Sequence, residues 1–177
     1  MSVEFREATA DDAPAIAKLH ADSWRRHYRG AYSDEYLDHD VFDERDAAWR
    51  KRLSEPAENQ FVLVAEGDSE LVGFACAYGA DDERWGTLLD NIHVRAERQS
   101  GGLGARLVAE VVDWCRAKYP DRGLYLWVLE MNVRAQAFYE RLGGRDVGAV
   151  LWEPSPGGGE AVPIHRYAWD APVELRQ

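Results

Sequence analysis

The residues with the clearest chemical potential lie in a glycine-rich run, "RQSGGLGARLVAEVVDWC", at positions 98–115. Gly101, Gly102 and Gly104 stand at the start of a strongly apolar helical pattern, although glycine is the poorest helix former after proline. A helix start exposes unpaired N–H groups and the positive end of the helix dipole, and glycine lets a bulky diphosphate approach the backbone without meeting a Cβ atom. The run therefore predicts a phosphate-binding turn.

Two familiar phosphate-binding patterns do not fit this turn. The P-loop requires a Gly-Lys pair, and the chain contains none. The dinucleotide-binding pattern G-x-G-x-x-G fails because Leu107 stands where a third glycine or alanine belongs, and because the turn follows the fourth predicted strand rather than the first. The spacing that fits is Q/R-x-x-G-x-G/A, which is met by Gln99, Gly102 and Gly104.

The elements that must position this turn are a strand before it and a helix after it. The run "GTLLDNIHV" predicts the strand at 86–94, and apolar residues at every fourth position predict the helix at 101–119. Before these two elements, the patterns predict a first strand near Val3 and Phe5, a helix ended by Gly30, a helical region that stops before Pro56 and a hairpin over 59–82. After them, the patterns predict a strand at 123–132, a helix at 132–143 and closing strands at 145–154 and 162–172. No repeat or linker interrupts the series, so we expect a single domain over residues 1–177.

Composition excludes several classes of protein. The chain has 177 residues, of which 46% are hydrophobic and 30% charged, the usual balance of a soluble domain. Its net charge of −11 argues against nucleic-acid binding. The acidic N-terminus argues against a signal peptide, and the lack of a long apolar run argues against a membrane span. We therefore expect a cytoplasmic protein. Cys76 and Cys115 lie far apart in apolar runs, which predicts buried thiols and no metal site.

Three blocks in series resemble the GNAT superfamily of acetyl-CoA-dependent N-acetyltransferases, in its bacterial form. "NIHVRAERQSGGLGARLV" looks like strand 4, the following loop and helix 3 of that family, and "LYLWVLEMNVRAQAFYERLGG" looks like strand 5 and helix 4. "SWRRHYRGAYSDEYLD" resembles the first helical segment of many bacterial members. The resemblance implies an α/β fold with a single mixed, mostly antiparallel sheet of about seven strands, splayed strands 4 and 5, and about four flanking helices.

The resemblance also implies acetyl-CoA as the co-substrate. Main-chain N–H groups of the turn would bind its diphosphate, and those residues are Gln99, Ser100, Gly101, Gly102, Leu103, Gly104 and Ala105. Backbone groups near Ile92, His93 and Val94 would pair with the pantetheine arm, and Asn132 would contact the cofactor, cap the next helix, or do both. Gly101 stands where the family often has a lysine or arginine, so that side-chain contribution is lost.

Catalytic roles follow from the same resemblance. Tyr139 matches the tyrosine that protonates the CoA thiolate as it leaves. The glutamate that many members carry in strand 4 is replaced by Leu88, and Asp90, two residues on, is expected on the same face of the strand. His93 is expected to point the opposite way. Asp90 is therefore the first candidate for the base and a water relay the second, although Asp90 also suits a structural hydrogen-bonding role.

The acceptor pocket of the family is built from blocks that are rich in aromatic residues here. The candidate substrate-binding residues are Trp24, Tyr28, Tyr32 and Trp127, which suit an amine on an organic body. The segment 34–46 holds seven carboxylates and one arginine, and it is either a solvated helical face or a negative rim that gathers cations. Candidate acceptors are an amino acid or dipeptide, a polyamine, an aminoglycoside-like drug and a protein N-terminus.

The function predicted from the sequence is acetyl transfer from acetyl-CoA to a primary amine of a small molecule or peptide, by direct attack in a ternary complex. The alternative is a non-catalytic CoA-binding or regulatory module on the same fold, because the strand-4 glutamate is missing. Family analogy also makes a homodimer, formed through edge strands, an expectation.

Overall fold

The strands predicted from alternation and turn signals form one sheet in a computed structural model that describes residues 3–155 and 157–176. The strands are β1 (Glu4–Glu7), β2 (Gln60–Gly67), β3 (Glu70–Asp82), β4 (Gly86–Val94), β5 (Leu124–Leu129), β6 (Arg145–Trp152) and β7 (Val162–Trp169). Their order across the sheet is β1-β2-β3-β4-β5-β7-β6, and every pairing is antiparallel except that of β4 with β5. The predicted mixed, mostly antiparallel sheet of seven strands is confirmed.

Four helices flank the sheet, as predicted: α1 (Ala13–His27), α2 (Val41–Ser54), α3 (Leu103–Lys118) and α4 (Val133–Arg141). Helices α1 and α2 pack on one face, where Ile16 and Trp49 meet Val62 and Phe74. Helix α3 packs on the other face with Leu107 and other apolar side chains. The central strands are buried on both faces, which explains their nearly continuous apolar sequences.

Strands β4 and β5 separate soon after they begin to pair. They pair only at Thr87 with Leu124 and at Leu88 with Tyr125, whereas β5 pairs with β7 along its whole length. The pairing of β4 with β3 shifts at the same level, from Ala77–Leu89 to Cys76–Asn91, so Asp90 is an extra residue in a β-bulge. A bulge bends its strand and increases the local twist, and we infer that this one turns the rest of β4 away from β5. The predicted splay is confirmed.

The bulge also changes which side chains of β4 share a face. Leu89 belongs to the core against α3, and beyond the bulge the residues that pack against that core are Ile92 and Val94. The side chains of Asp90 and His93 therefore both lie on the face covered by α1 and α2, where they contact Arg52 and Ser23. The expectation that His93 points away from Asp90 is wrong, because it assumed an unbroken two-residue alternation.

An ion pair connects the start of α1 to the first strand. Arg6 donates from Nη1 and Nη2 to the two carboxylate oxygens of Asp12, over 2.8 and 2.9 Å. The Thr9 backbone N–H donates to the same carboxylate over 2.7 Å. The hydrogen bonds from Arg6 hold the pKa of Asp12 below its ordinary value.

This pKa shift predicts a pH-dependent contribution to stability. A carboxyl with a lowered pKa in the folded state stabilises the protein above its ordinary pKa, and the contribution is lost as the pH falls through the lowered value. We expect Asp12→Asn to lower the free energy of unfolding by about 1–2 kcal/mol at pH 7 and by progressively less below pH 4. Urea unfolding at several pH values measures this difference. The control is Asp11→Asn, an exposed neighbour with the same charge change, and a loss for Asp12→Asn that stayed constant down to pH 2 would contradict the prediction.

Candidate active site

Two clefts open where β4 and β5 separate. The loop cleft, of about 250 Å³, lies between the glycine turn, Ile92–Val94 of β4, Trp127–Leu129 of β5 and α4. The aromatic cleft, of about 470 Å³, lies on the side of α1 and α2. Both clefts are lined by Tyr28, Ile92, His93, Trp127, Val128, Leu129 and Tyr139. The two clefts therefore meet between the separated strands.

The glycine turn presents main-chain N–H groups at one end of the loop cleft. Gly102 has a φ of +73°, in the left-handed region that favours glycine, and a Cβ atom added there would meet no heavy atom of the described residues within 4 Å. Its carbonyl accepts the first hydrogen bond of α3, from the Arg106 N–H over 3.1 Å. The N–H groups of Leu103, Gly104 and Ala105 precede that bond, so they have no acceptor within the helix.

The residues predicted to bind the cofactor differ in how they meet the loop cleft. Those that line it are Ile92, His93, Val94, Gln99, Gly102, Gly104, Ala105, Asn132 and Tyr139, whereas Ser100, Gly101 and Leu103 do not. The Gly101 N–H already donates to the Arg98 carbonyl over 3.3 Å, and the side chain of Leu103 is buried in the core.

The first turn of α4 forms the opposite wall of the loop cleft. Asn132 caps this helix, since its side-chain oxygen accepts from the Ala135 N–H over 3.1 Å, and Asn132 also lines the cleft. Arg134 and Arg141 line the same cleft and add two positive charges to it. Sequence reasoning missed both arginines, because only the packing of α4 shows which of its charged residues face the cleft.

Tyr139 lies where the two clefts meet and is only 8% exposed. Its ring packs edge-on against Phe138 and Trp169, with ring centroids 5.2 and 6.3 Å away. Burial raises the pKa of Tyr139 above its ordinary value, and it raises the pKa of Tyr28, which lines both clefts as well, to about 12. Both hydroxyls are therefore protonated at neutral pH.

His93 lies at the same junction, in its neutral form. Its Nδ1 is 2.8 Å from the hydroxyl oxygen of Ser23 on α1. Its ring packs against that of His20, which is fully buried and accepts a hydrogen bond from the Trp49 indole over 3.0 Å. Burial lowers the pKa of His93 to about 3, so its imidazole is a weak base.

Asp90 and Arg52 form an ion pair in the aromatic cleft. The Nη1 atom of Arg52 donates to the carboxylate of Asp90 and to the side-chain oxygen of Asn91, over 3.1 Å in each case. Burial raises the pKa of Asp90, and the positive charge of Arg52 opposes part of that rise. The guanidinium of Arg52 lies over the indole ring of Trp49, 4.6 Å from its centroid.

The four predicted substrate-binding residues all line the aromatic cleft. Trp24 stacks with Tyr28 and Tyr32, at centroid distances of 5.2 and 4.7 Å, and Trp127 on β5 lines the cleft as well. Sequence reasoning missed two further residues of this cleft, Arg45 and Arg52 of α2. They belong to a helix with several charged positions, so the sequence alone does not show which arginines face inward.

The acidic segment 34–46 does not form a rim around these clefts. All seven of its carboxylates are among the described residues, and none lines either cleft. Four of them form ion pairs: Asp34 and Asp38 with Arg29, Glu44 with Arg45, and Asp46 with Arg50. This arrangement supports a solvated helical surface.

Residues 3–155 and 157–176, which the structure describes, contain neither a metal-binding cluster nor a membrane-spanning helix. No group of three or more His, Cys, Asp or Glu side chains is arranged to hold a metal ion. None of the helices in this part of the chain combines the length and the apolar character that crossing a membrane requires.

Comparison with known proteins shows which family this chain belongs to. A family model described as the acetyltransferase (GNAT) family matches residues 20–144, which is more than half of the chain. The uncharacterized N-acetyltransferase YuaI of Bacillus subtilis is 31% identical to this chain over 134 residues, which cover 73% of each protein. The spermine/spermidine N(1)-acetyltransferase of Bacillus subtilis is 26% identical to it, over 81% of this chain and 88% of that enzyme.

A solved structure shows the same fold. The PaiA N-acetyltransferase of Thermoplasma acidophilum, in complex with coenzyme A, superposes with a TM-score of 0.69, over 94% of this chain and 98% of its own, at 20% identity. Such low identity supports the fold alone. The family model and the relative with 31% identity show that this chain belongs to the acetyltransferase (GNAT) family.

Proposed function

We propose that this protein transfers an acetyl group from acetyl-CoA to a primary amine, by direct attack of the amine on the thioester while both are bound. The observation that carries the proposal is the meeting of two clefts between β4 and β5, with the Tyr139 side chain lining both. One cleft ends at a glycine turn that suits a diphosphate, and the other has an aromatic wall that suits an organic amine.

The loop cleft suits the CoA moiety. The N–H groups of Gly104 and Ala105 would bind the diphosphate at the positive end of the α3 dipole, and Arg134 and Arg141 would add charge-assisted contacts. The backbone of β4 at Ile92–Val94 no longer pairs with β5, so it is available to the amides of the pantetheine arm. A main-chain N–H there would also stabilise the thioester oxygen as negative charge develops on it.

Tyr139 is proposed as the proton donor. When the amine nitrogen forms its bond to the acetyl carbon, the C–S bond breaks and the electron pair moves to sulfur. The hydroxyl of Tyr139 would donate its proton to that sulfur, so that CoA leaves as the free thiol. The buried position of Tyr139 keeps this hydroxyl protonated until the transfer.

Asp90 is proposed as the base, directly or through one water molecule. An ammonium group must lose a proton before its nitrogen can attack, and a carboxylate with a raised pKa is a better acceptor than an ordinary one. Neutral His93 is the weaker base because its pKa is lowered to about 3, and its proposed role is to accept a hydrogen bond where the two clefts meet.

The role of Tyr139 predicts a specific loss of rate. We expect Tyr139→Phe to lower kcat by about 10²-fold or more, because the leaving sulfur loses its proton donor, while the Kd for acetyl-CoA changes little. Thiol release and calorimetry measure the two quantities. Tyr167→Phe is the matched control, since the Tyr167 hydroxyl donates to Glu140 over 2.9 Å and that tyrosine lines neither cleft. Unchanged turnover in Tyr139→Phe would assign the tyrosine to packing.

The role of Asp90 predicts a change in the pH profile. The rate of the wild-type enzyme should fall as the pH decreases through the raised pKa of Asp90, because the protonated carboxyl is no longer a base. We expect Asp90→Asn to lower kcat by about 10²-fold and to remove this acid limb. Asp22→Asn, on the solvent side of α1, is the control and should keep the limb. If His93→Gln removed the limb and Asp90→Asn kept it, the base would be His93.

The left-handed conformation of Gly102 predicts a loss of affinity. We expect Gly102→Ala to raise the Kd for CoA by about 10-fold, because a residue with a Cβ atom disfavours this φ and the free turn relaxes out of its binding conformation. Gly101→Ala is the matched control, since the φ of Gly101 is ordinary and its Cβ atom would lie at a comfortable 3.6 Å from the Arg98 carbonyl oxygen. Equal affinities for the two variants would place the diphosphate elsewhere.

A further inference from the structure

The ion pair of Arg52 with Asp90 places opposite charges side by side in the aromatic cleft, 3.1 Å apart. The two side chains are 25% and 31% exposed, so each keeps access to solvent or to a ligand. All hydrogen bonds that the Arg52 side chain donates to described residues leave from Nη1 and reach Asp90, Asn91 and Cys76. Within the described part of the chain, the Nε and Nη2 donors therefore have no acceptor.

The position of the Arg52 guanidinium is held from two directions. Its Nη1 atom is bound to the bulge of β4, and its plane lies over the ring of Trp49, which is 1% exposed. A guanidinium binds a carboxylate most strongly through two parallel N–H donors, and Nε with Nη2 is one such pair. A group held in this way loses little conformational entropy when it binds a ligand.

The other cation of the aromatic cleft is already matched by a carboxylate. Arg45 donates from Nε and Nη2 to both carboxylate oxygens of Glu44, and its guanidinium lies over Trp24, 4.7 Å from the ring centroid. Arg52 is therefore the arginine of this cleft whose paired donors, Nε and Nη2, remain open to a ligand.

We propose that the acceptor of this enzyme is a free α-amino acid, an inference that rests on the proposed acetyl transfer. In an α-amino acid the ammonium and carboxylate groups are attached to one carbon, so they match neighbouring negative and positive groups on a protein. The carboxylate binds Nε and Nη2 of Arg52, and the amine lies against Asp90, which takes its proton. The side chain of the amino acid lies in the aromatic cleft with Trp24, Tyr28 and Trp127.

The same geometry disfavours two other classes of acceptor. A polyamine carries further positive charges and no carboxylate, so it leaves the donors of Arg52 unpaired and is repelled by them. A peptide N-terminus has a neutral amide where the free amino acid has its carboxylate, and an amide oxygen forms a weaker bond with a guanidinium. Both classes belong in the test.

The experiment compares matched pairs of acceptors with acetyl-CoA and the full-length protein. Each pair is an amino acid and the amine formed by its decarboxylation: phenylalanine with phenethylamine, tryptophan with tryptamine, leucine with 3-methylbutylamine, and histidine with histamine. Spermidine and a tetrapeptide complete the panel, and kcat/KM is measured by thiol release. For the best pair we expect the amino acid to be favoured by at least about 10-fold, the effect of a charged group that loses its partner.

Variants test whether Arg52 is the source of this preference. Arg52→Gln should bring the ratio of kcat/KM for amino acid and amine close to one, and Arg52→Lys should keep part of it. The ratio is the informative readout, because a change in the base affects both acceptors alike. Arg50→Gln is the matched control, since Arg50 lies on the same helix, pairs with Asp46 and is outside the cleft. An unchanged Kd for acetyl-CoA shows that each variant is folded.

The possible outcomes distinguish failure of the amino-acid inference from failure of the proposed acetyl transfer. If spermidine, the tetrapeptide or a decarboxylated amine is the best acceptor, or if Arg52→Gln leaves the ratio unchanged, the inference is overturned and acetyl transfer stands. If acetyl-CoA binds but no acceptor releases CoA, the proposed function fails and the inference falls with it.

Discussion

Between Leu89 and Asn91, β4 contains one residue more than the strand opposite it, and the geometry of the site depends on that residue. The bulge residue Asp90 lies two positions beyond Leu88, the last residue of β4 that pairs with β5, and the gap between the two strands opens there. It also places Asp90 and His93 on the same face of the sheet. One local irregularity in the ladder thus supplies an unpaired backbone edge and brings two titratable side chains into the site.

Much of the fold and part of the site could be predicted from the sequence. The run "GTLLDNIHV" predicts the bounds of β4, and the spacing of Gln99, Gly102 and Gly104 predicts the glycine turn at the start of α3. The bulge could not be predicted, because a strand with one extra residue has the same composition as a regular one. The arginines of α2 that line the cleft could not be predicted either, because that helix is charged on several sides. Only its packing shows that Arg52 faces the cleft while Arg50 faces solvent.

The electrostatics of the site differ from those of the whole chain. The net charge is −11, yet the charged side chains that line the two clefts are mostly arginines, and several carboxylates of the acidic segment are already paired. A large net charge of one sign favours solubility in general, whereas local cations suit a diphosphate in one cleft and a carboxylate in the other. The overall charge of an enzyme is therefore a poor guide to the charge of its substrate.

Consecutive residues of α1 serve different clefts. The hydroxyl of Ser23 fixes the imidazole of His93, and the indole of the next residue, Trp24, forms part of the aromatic wall. A shift of this helix that reshapes the wall must also rotate or release the imidazole at the junction. Changes in acceptor range that arise through α1 are thus mechanically linked to the geometry of the transfer step, and evolution of a new specificity along this helix has to preserve both at once.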